Sequence, residues 1–230
     1  MSNIVITGAN RGIGLELARQ YAAMGHRVYA CCRDVAKATE LADLTNTHDV
    51  HLLEVSVGEA DSVNSLVSQL SGVAVDMLIN NAGTGGPPRE EQSAVVMDFD
   101  GWADTMNINT FAPVRVMQAL LPNLRAAETA KVVNITSQMG ALSLDMTVAY
   151  AYCTSKAALN KFMKMAAIEL VDEGILVCLI HPGWVQTDMG GQAADLTPIE
   201  SAEGILQTVD KLERSSTGSF WKWNGETHDW

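Results

Sequence analysis

The sequence has few of the residues from which metal sites and disulfide frameworks are built. Its 230 residues include four cysteines and five histidines. The cysteines form no C-x-x-C pair, and the histidines lie singly rather than at the short intervals of a zinc site. We therefore predict no metal, and the four cysteines, Cys31, Cys32, Cys153 and Cys178, are expected to be free thiols in a reducing compartment.

Long apolar runs and an excess of basic charge are also missing. The longest strongly apolar stretch, 175–180, is far shorter than the roughly 20 residues that cross a bilayer, so no membrane partner is expected. The first strand-like run begins at Asn3, which leaves no room for a signal peptide and predicts a cytoplasmic protein. The net charge of −12 argues against a nucleic-acid partner, which needs a basic surface. A composition that is 47% hydrophobic and 18% charged is typical of a globular fold.

What the sequence does contain is an alternation of apolar runs and helical patterns. Strands are predicted at 3–7, 26–32, 50–55, 76–80, 131–136 and 175–180. Helices are predicted at 11–24, 35–44, 60–70, 102–127 and 149–173, with Pro113 and Pro122 as boundaries or kinks in the fourth. Strands that alternate with helices predict a single α/β domain with a parallel, doubly wound sheet covered on both faces.

A glycine-rich turn, Thr7-Gly8-Ala9-Asn10-Arg11-Gly12-Ile13-Gly14, follows the first predicted strand. Gly8 permits a tight turn, Gly12 lets a pyrophosphate approach the backbone, and Gly14 allows the helix to pack closely on the strand. The N-terminus of the following helix then offers free N–H groups to the phosphates. A turn that binds nothing remains the alternative, since glycines also occur in β–α turns for conformational reasons alone.

The ends of the second and third strands bear on the choice between NAD and NADP. Cys32 stands where a ribose with free hydroxyls usually meets an acidic side chain, and Arg33 follows it. Arg11, in the glycine turn, is a second cation, and both arginines favour the 2′-phosphate of NADP. The alternative is that Arg33 is a solvated arginine paired with Asp34. Glu54, at the end of the third strand, is either an acceptor for the adenine amino group or an ordinary surface carboxylate.

Tyr152 and Lys156 are four residues apart in the predicted helix 149–173, so both project from one face. An ammonium beside a phenol favours the phenolate, so we expect a lowered pKa for Tyr152. Tyr152 would then exchange a proton with a carbonyl oxygen, and Ser137 would donate to the same oxygen. Such a pair also arises by chance, but Tyr150, the other nearby tyrosine, has no lysine four residues on. Together with the glycine turn, these residues predict an enzyme of hydride transfer.

With these residues and the motifs named below, the chain resembles the short-chain dehydrogenase/reductase family along nearly its whole length. Thr7–Gly14 is similar to the T-G-x-x-x-G-x-G turn of the family, and Asn80-Asn81-Ala82-Gly83 to its N-N-A-G segment. Pro182-Gly183-Trp184-Val185-Gln186-Thr187 resembles the P-G-x-x-x-T segment that touches the nicotinamide. Within the family the chain looks most like sniffer-type carbonyl reductases and C-factor-like signalling proteins. It departs from them in Glu54, where aspartate is usual, and in a slightly long interval from Ser137 to Tyr152.

The resemblance implies a seven-stranded Rossmann sheet in the order 3-2-1-4-5-6-7, and a homodimer or homotetramer formed by the helices at 107–127 and 149–171. It implies NADP(H) as cofactor, a small carbonyl or alcohol substrate, and a catalytic asparagine at Asn109 that binds a water in the proton relay. The predicted catalytic residues are Asn109, Ser137, Tyr152 and Lys156. The predicted cofactor contacts are Gly8, Asn10, Arg11, Gly12, Ile13, Gly14, Arg33, Glu54, Asn81, Ala82, Gly83, Tyr152, Lys156, Pro182, Gly183, Val185 and Thr187.

The substrate pocket is expected to be built from 83–100, 137–151 and 184–198. These segments supply Met139, Leu142, Tyr150, Trp184 and Met189, which predicts an open pocket for apolar carbonyl compounds. Met189-Gly190-Gly191 is a candidate hinge for a short lid that ends near Pro198. A nucleotide-binding signalling protein with little turnover is the alternative function. The aromatic tail, 215–230, is expected to pack on the domain or on a partner subunit.

Overall fold

Seven parallel strands form the centre of the molecule, in the order β3-β2-β1-β4-β5-β6-β7. They are β1 (Asn3–Thr7), β2 (Arg27–Cys32), β3 (Val50–Glu54), β4 (Met77–Asn80), β5 (Ala130–Ile135), β6 (Ile175–His181) and β7 (Phe220–Lys222). This computed structural model describes residues 1–230. The predicted α/β fold and strand order are confirmed.

Helices cover both faces of the sheet. They are α1 (Gly12–Ala23), α2 (Thr39–Leu44), α3 (Ala60–Gln69), α4 (Phe99–Met106), α5 (Ala112–Ala119), α6 (Leu121–Arg125), α7 (Tyr150–Leu170) and α8 (Pro198–Asp210). Alternate residues of each strand serve the two layers: Val5 belongs to the core beneath α3, α5 and α7, whereas Ile4 and Ile6 belong to the core beneath α1, α2 and α8. The strands are therefore apolar throughout, as a sheet buried on both faces requires.

The strand order reverses beside β1, which pairs with β2 on one side and with β4 on the other. The connections that leave the carboxyl ends of β1 and β4 diverge to opposite faces, so they leave a crevice at this edge of the sheet. Ligands of doubly wound sheets bind at such a reversal. Every predicted site segment starts at the carboxyl end of a strand, and the fold brings those ends to one edge.

The predicted helix 102–127 is three helices joined by irregular turns. α4 is followed by a π-helical turn, Asn107–Phe111, in which the Ala112 N–H bonds the Asn107 carbonyl five residues back. Pro113 lies in the first turn of α5 and has no N–H for the carbonyl of Asn109, so regular α-helical bonding cannot continue. Pro122 has the same position in α6.

Two elements were not predicted from apolar periodicity, α8 and β7. The start of α8 carries a capping box in which Thr197 and Glu200 bond reciprocally, with Pro198 at the first helical position. That signal is legible in the sequence. β7 has three residues, too few for a periodic pattern.

The aromatic tail packs on its own domain. The ring of Trp230 lies 5.5 Å from that of Phe220 and 4.1 Å from the Lys164 ammonium. None of the helices combines the length and the apolar character that a membrane span requires. No three histidine, cysteine, aspartate or glutamate side chains lie close enough together to hold a metal ion.

Candidate active site

The glycine-rich turn between β1 and α1 is shaped by contacts that leave no room for side chains. Gly8 has φ of +66°, and a Cβ there would lie 2.9 Å from the Cα of Ala82. A Cβ on Gly14 would lie 2.3 Å from the carbonyl oxygen of Gly8, so α1 packs this closely only with glycine at that position. Gly12 has φ of +54°, and a Cβ there would face the Thr187 side chain at 3.1 Å. The turn is therefore tight, and its backbone faces the crevice.

The first turn of α1 lacks a side chain that satisfies its backbone N–H groups. Arg11 is the N-cap residue, but its side chain makes no capping hydrogen bond, and the first turn contains no acidic residue. Asn10 and Arg11 are exposed on the outside of the turn. The N–H groups of Gly12, Ile13 and Gly14 and the positive end of the helix dipole fit the pyrophosphate of a dinucleotide.

Asn81 anchors the glycine turn to the end of β4. Its side-chain amide donates to the carbonyl oxygens of Thr7 and Gly8, each at 3.0 Å. The Thr7 hydroxyl accepts from the backbone N–H of Asn81 at 3.0 Å and of Ala82 at 3.2 Å. The Asn81 side chain is thus committed to the turn, which it supports from behind.

Arg33, directly after β2, is exposed and has no carboxylate partner. Its neighbour Asp34 instead pairs with Lys37, with a Oδ2–Nζ distance of 2.7 Å, and caps the Lys37 N–H. The alternative in which Arg33 is neutralised by Asp34 is therefore wrong. Glu54 is likewise exposed at the end of β3, level with Cys32 of β2.

Arg11, the second predicted cation, is not free. Its guanidinium pairs with Asp188, which lies beyond β6 on the far side of the crevice. The pair joins the glycine turn to the segment 184–198, and both side chains are largely exposed.

The predicted catalytic pair lies on α7, with Tyr152 in the first turn and Lys156 one turn later. Lys156 is buried, at 4% exposure, and its ammonium donates to the carbonyl oxygen of Ile135 at 2.9 Å. The ammonium is 5.8 Å from the centroid of the Tyr152 ring. The end of β5 therefore fixes the position of the lysine beside the tyrosine.

The expected lowering of the Tyr152 pKa is wrong for the protein without ligand. Burial raises the pKa of Tyr152, and the interaction with Ser137 opposes that rise without cancelling it. The ammonium is held by Ile135 near the ring and not at the hydroxyl. Burial also lowers the pKa of Lys156 to about 8, because the ammonium has lost its water.

Ser137 lies two residues past β5 and is almost fully buried. Its hydroxyl accepts from the Met139 N–H at 3.1 Å, which fixes its direction. The structure thus brings Ser137, Tyr152 and Lys156 together at the edge of the sheet that carries the glycine turn.

Asn109 is fully buried, and its side-chain amide is engaged by protein groups. Its Oδ1 accepts from the Thr84 N–H at 2.8 Å, and its Nδ2 donates to the Thr84 carbonyl at 2.8 Å and to the Ser155 hydroxyl at 3.1 Å. A Cβ on Gly83 would meet the Asn109 Oδ1 at 3.3 Å. The backbone carbonyl of Asn109 receives no N–H from Pro113, because proline has none.

The segment after β6 folds back on itself. Val185 is buried and forms a parallel bridge with Leu196. Gly183 has φ of +88°, and a Cβ there would collide with Leu196 at 2.3 Å. The Thr187 hydroxyl accepts from the Gly190 N–H at 3.1 Å. Gly190 in turn packs against the Val185 carbonyl, where a Cβ would lie at 2.0 Å. This glycine is needed for packing, which is a different reason from the predicted hinge.

A hydrogen bond to Pro182 joins the start of this segment to α8. The proline is buried, and its carbonyl oxygen accepts from the Ser201 hydroxyl at 2.6 Å. The start of α8 therefore fixes where the segment leaves the sheet.

An apolar cavity of about 190 Å³ lies between the loop 139–148 and α7. Its lining consists of Met139, Gly140, Ala141, Leu142, Leu144, Met146, Val148, Tyr150, Cys153, Thr154 and Ala157. Trp184 and Met189 are exposed and do not line it. The cavity contacts the α7 face of Tyr150, Cys153 and Ala157, which is not the face of Tyr152 and Lys156.

One buried side chain at this edge of the sheet was not predicted from the sequence. Gln92, at 5% exposure, accepts a hydrogen bond from the Ala151 N–H in the first turn of α7. It lies in the polar loop 83–100, where nothing in the local pattern distinguishes it from a solvated glutamine.

The chain matches the sequence profile of the short chain dehydrogenase family over residues 2–196. It is 41% identical over 157 residues to the C-signal of Myxococcus xanthus, covering 68% of this chain and 93% of that protein. The NADPH-bound carbonyl reductase from chicken fatty liver superposes with a TM-score of 0.92 at 31% identity, over 100% of this chain and 99% of that one. The carbonyl reductase Sniffer of D. melanogaster gives 0.91 at 32% identity over 100% of both chains. The chain belongs to the short-chain dehydrogenase family and is an NAD(P)-dependent oxidoreductase of that family.

Proposed function

We propose that the protein is an NADP-dependent reductase of carbonyl compounds. The observation that carries the proposal is the convergence of Ser137, Tyr152 and Lys156 on the crevice beneath the uncapped start of α1. A protein that only binds a nucleotide has no chemical use for these three groups. NADPH is the bound molecule in the chicken relative.

The proposed chemistry divides between the cofactor and the side chains. A nicotinamide held in the crevice would supply the hydride. Tyr152 gives its phenolic proton to the carbonyl oxygen, and Ser137 donates a hydrogen bond to the same oxygen as negative charge develops there. Lys156, whose pKa is lowered to about 8 by burial, gains or loses a proton easily near neutral pH and suits the return of a proton to Tyr152.

Burial raises the pKa of Tyr152, so the phenol is protonated at neutral pH and the phenolate is disfavoured. Reduction starts from the protonated phenol. Oxidation needs the phenolate, which burial disfavours. We therefore propose that alcohol oxidation by this protein requires a more alkaline solution than carbonyl reduction.

The preference for NADP rests on Arg33. The guanidinium is exposed, unpaired and directly after β2, where the adenosine ribose lies in doubly wound folds. The 2′-phosphate would accept bidentate hydrogen bonds from it. Arg11 is a weaker candidate because Asp188 already neutralises it. Glu54 is proposed as the adenine contact, and the remaining predicted cofactor residues as the walls of the crevice.

The substrate class is proposed to be apolar carbonyl compounds of moderate size. Met139 and Tyr150, which line the apolar cavity, are each two residues along the chain from a proposed catalytic residue, Ser137 and Tyr152, so the apolar part of the substrate is assigned to this cavity. Pocket walls from 83–100, 137–151 and 184–198 would complete the site. Trp184 and Met189, both about half exposed, then cover an entering substrate.

A homodimer through α7 is proposed from an apolar stripe on its outer face. Phe162, Met165 and Ile168 are 39%, 57% and 75% exposed, and Phe111 of the neighbouring π-helical turn is 52% exposed. Apolar side chains contiguous on a helix surface are typical of a subunit interface. Two copies related by a twofold axis would cover each other's stripe.

The decisive comparison is between two tyrosines two residues apart. Tyr152→Phe should reduce kcat for NADPH-dependent reduction of an apolar ketone or aldehyde panel on the order of a hundredfold or more. Tyr150→Phe, the matched control, should keep kcat within a few fold. Ketone-dependent NADPH oxidation that is unchanged in Tyr152→Phe, or absent from the wild-type protein, would refute the proposal.

A second candidate function is favoured by the likeness to the C-signal. A signalling protein would bind the nucleotide and turn over slowly or not at all. In that case the wild type and Tyr152→Phe would show equal NADPH affinity and equally negligible turnover.

A further inference from the structure

We infer that Gln92 is a positioning residue that caps the helix of the catalytic tyrosine from a distant loop. The inference rests on the proposed function of Tyr152 as proton donor. It concerns a residue outside the predicted catalytic set, in the segment 83–100.

Tyr152 lies where a helix is weakest. α7 begins at Tyr150, so Tyr152 is its third residue, and the first helical bond from this end joins the Cys153 N–H to the Ala149 carbonyl. The N–H groups ahead of that bond have no partner within the helix. A frayed first turn would move the phenol but not Lys156, which is held at β5.

The N-cap residue cannot protect this turn. Ala149 has no side-chain acceptor, and its φ of 49° and ψ of 50° are left-handed, an unusual conformation for a residue other than glycine. Helices strongly prefer Ser, Thr, Asp or Asn at this position, because their side-chain oxygens accept from the free N–H groups of the first turn.

Gln92 supplies the missing acceptor. Its Oε1 accepts from the Ala151 N–H at 2.9 Å, and its Nε2 donates to the Pro87 carbonyl at 2.5 Å. The side chain is 5% exposed, so water does not compete for either bond. Gly86 packs behind the same turn, since a Cβ there would lie 3.4 Å from the Cβ of Ala151.

The two ends of the amide have separable tasks. Its oxygen stabilises the turn of Tyr152, and its nitrogen secures the loop 83–92. A carboxylate at this position performs the first task and not the second, because it accepts from the Ala151 N–H but repels the Pro87 carbonyl. A methionine of similar length performs neither.

This separation defines the experiment. In steady-state kinetics with NADPH and a saturable ketone, Gln92→Met should lose kcat on the order of tenfold to a hundredfold through misplacement of the phenol. Gln92→Glu should keep kcat within about threefold while KM for the ketone rises several fold, because only the loop is released. Gln69→Met, at an exposed glutamine of α3, is the matched control and should change neither.

Amide hydrogen exchange separates positioning from a loss of fold, and the activity of the wild type separates it from a failure of the proposed function. Amide hydrogen exchange should rise at Tyr150–Tyr152 in Gln92→Met, remain at wild-type rates there in Gln92→Glu, and be unchanged at Leu159–Leu170 in both. A Gln92→Met variant with wild-type kcat, or equal kcat losses in the Met and Glu variants, overturns the inference. Absence of carbonyl reduction in the wild type refutes the proposed function instead, while the exchange data still decide whether Gln92 caps α7.

Discussion

At Lys156 the proposed catalytic role and the stability of the fold oppose each other. Its ammonium is buried, bonds a single carbonyl and has no carboxylate partner. A fall of its pKa from 10.5 to about 8 corresponds to about 3 kcal/mol of free energy that favours the unfolded state at pH 7. Groups whose pKa is shifted this far are typical of functional sites.

Lys156→Met should therefore abolish catalysis and stabilise the apoprotein at pH 7. We expect a gain of about 1–3 kcal/mol in the free energy of unfolding, because loss of the hydrogen bond to Ile135 offsets part of the relief. The gain should shrink between pH 8 and 10.5, since in that window the unfolded lysine still binds a proton that the folded one has lost. Urea denaturation at several pH values measures it, with Lys161→Met, an exposed lysine on α7, as control. A destabilised Lys156→Met protein would contradict this account.

Arg33 is the residue on which the proposed preference for NADP depends. Arg33→Gln should raise KM for NADPH about tenfold or more and leave KM for NADH nearly unchanged, because only NADPH has the 2′-phosphate. Arg125→Gln is the control, since that guanidinium pairs with Glu173 and its removal leaves Asp34 bound to Lys37. Equal effects of Arg33→Gln on both cofactors would show that the guanidinium does not recognise the phosphate.

At the scale of elements, the regular part of the molecule could be predicted from the sequence. β1 and β6 are the short apolar runs that a sheet buried on both faces requires, and the helix predicted at 11–24 is α1 to within one residue at each end. The break at Asn107–Phe111 could not be placed, because the effect of Pro113 on its preceding turn depends on which carbonyls the fold leaves unpaired. The burial of Gln92 and its hydrogen bond to α7 could not be predicted either, because its partner Ala151 is distant in sequence and local patterns carry no information on such contacts.

The electrostatics of the site were the part that sequence predicted least well. The spacing of Tyr152 and Lys156 correctly places the two side chains on one helix, but the direction of the tyrosine pKa depends on burial and on where the ammonium points. Both depend on packing against β5. The ion pair of Asp34 could not be predicted either, because it depends on the local fold. The short helical turn Val35–Lys37 brings Lys37, and not Arg33, next to the Asp34 carboxylate.

The end of β6 carries a histidine that makes the element sensitive to acid. Burial, with smaller contributions from His228 and Lys222, lowers the pKa of His181 to about 4. Its contribution to stability is therefore complete above about pH 6.5, the ordinary pKa, and is lost as the pH falls from 6.5 to 4.

As the pH falls from 6.5 to 4, protonation of His181 should lower the free energy of unfolding of the wild type by up to about 3 kcal/mol. His181→Leu should not show this loss. The Nδ1 of His181 has no hydrogen-bond partner, so replacement by an apolar side chain breaks no hydrogen bond at that nitrogen. Thermal or urea unfolding across that pH range measures the effect, with His48→Gln as control. An unchanged acid profile in His181→Leu would show that other groups set the acid limit.

At the scale of the whole molecule, the catalytic helix is also the proposed subunit interface. One face of α7 carries Tyr152 and Lys156, another packs on the sheet, and a third exposes the apolar stripe of Phe162, Met165 and Ile168. Dimer formation would thereby stiffen the helix that positions the proton donor.

Ile168→Lys should convert the proposed dimer into a monomer, because it would place an unpaired ammonium in the apolar interface. Light scattering with size-exclusion chromatography measures the mass, and Met24→Lys, at a residue 56% exposed beyond α1, is the control. A wild-type protein that is monomeric at high concentration would rule out this interface.

The central claim is that the Tyr152 hydroxyl protonates a carbonyl whose carbon receives hydride from a bound nicotinamide. It is tested most directly by mass spectrometry of the alcohol formed from a ketone and NADPH deuterated at its transferable position. We expect one deuterium on the carbinol carbon with the wild type and with Tyr150→Phe, and almost no labelled alcohol with Tyr152→Phe. Alcohol without deuterium, or equal labelled product from Tyr152→Phe, would contradict the claim.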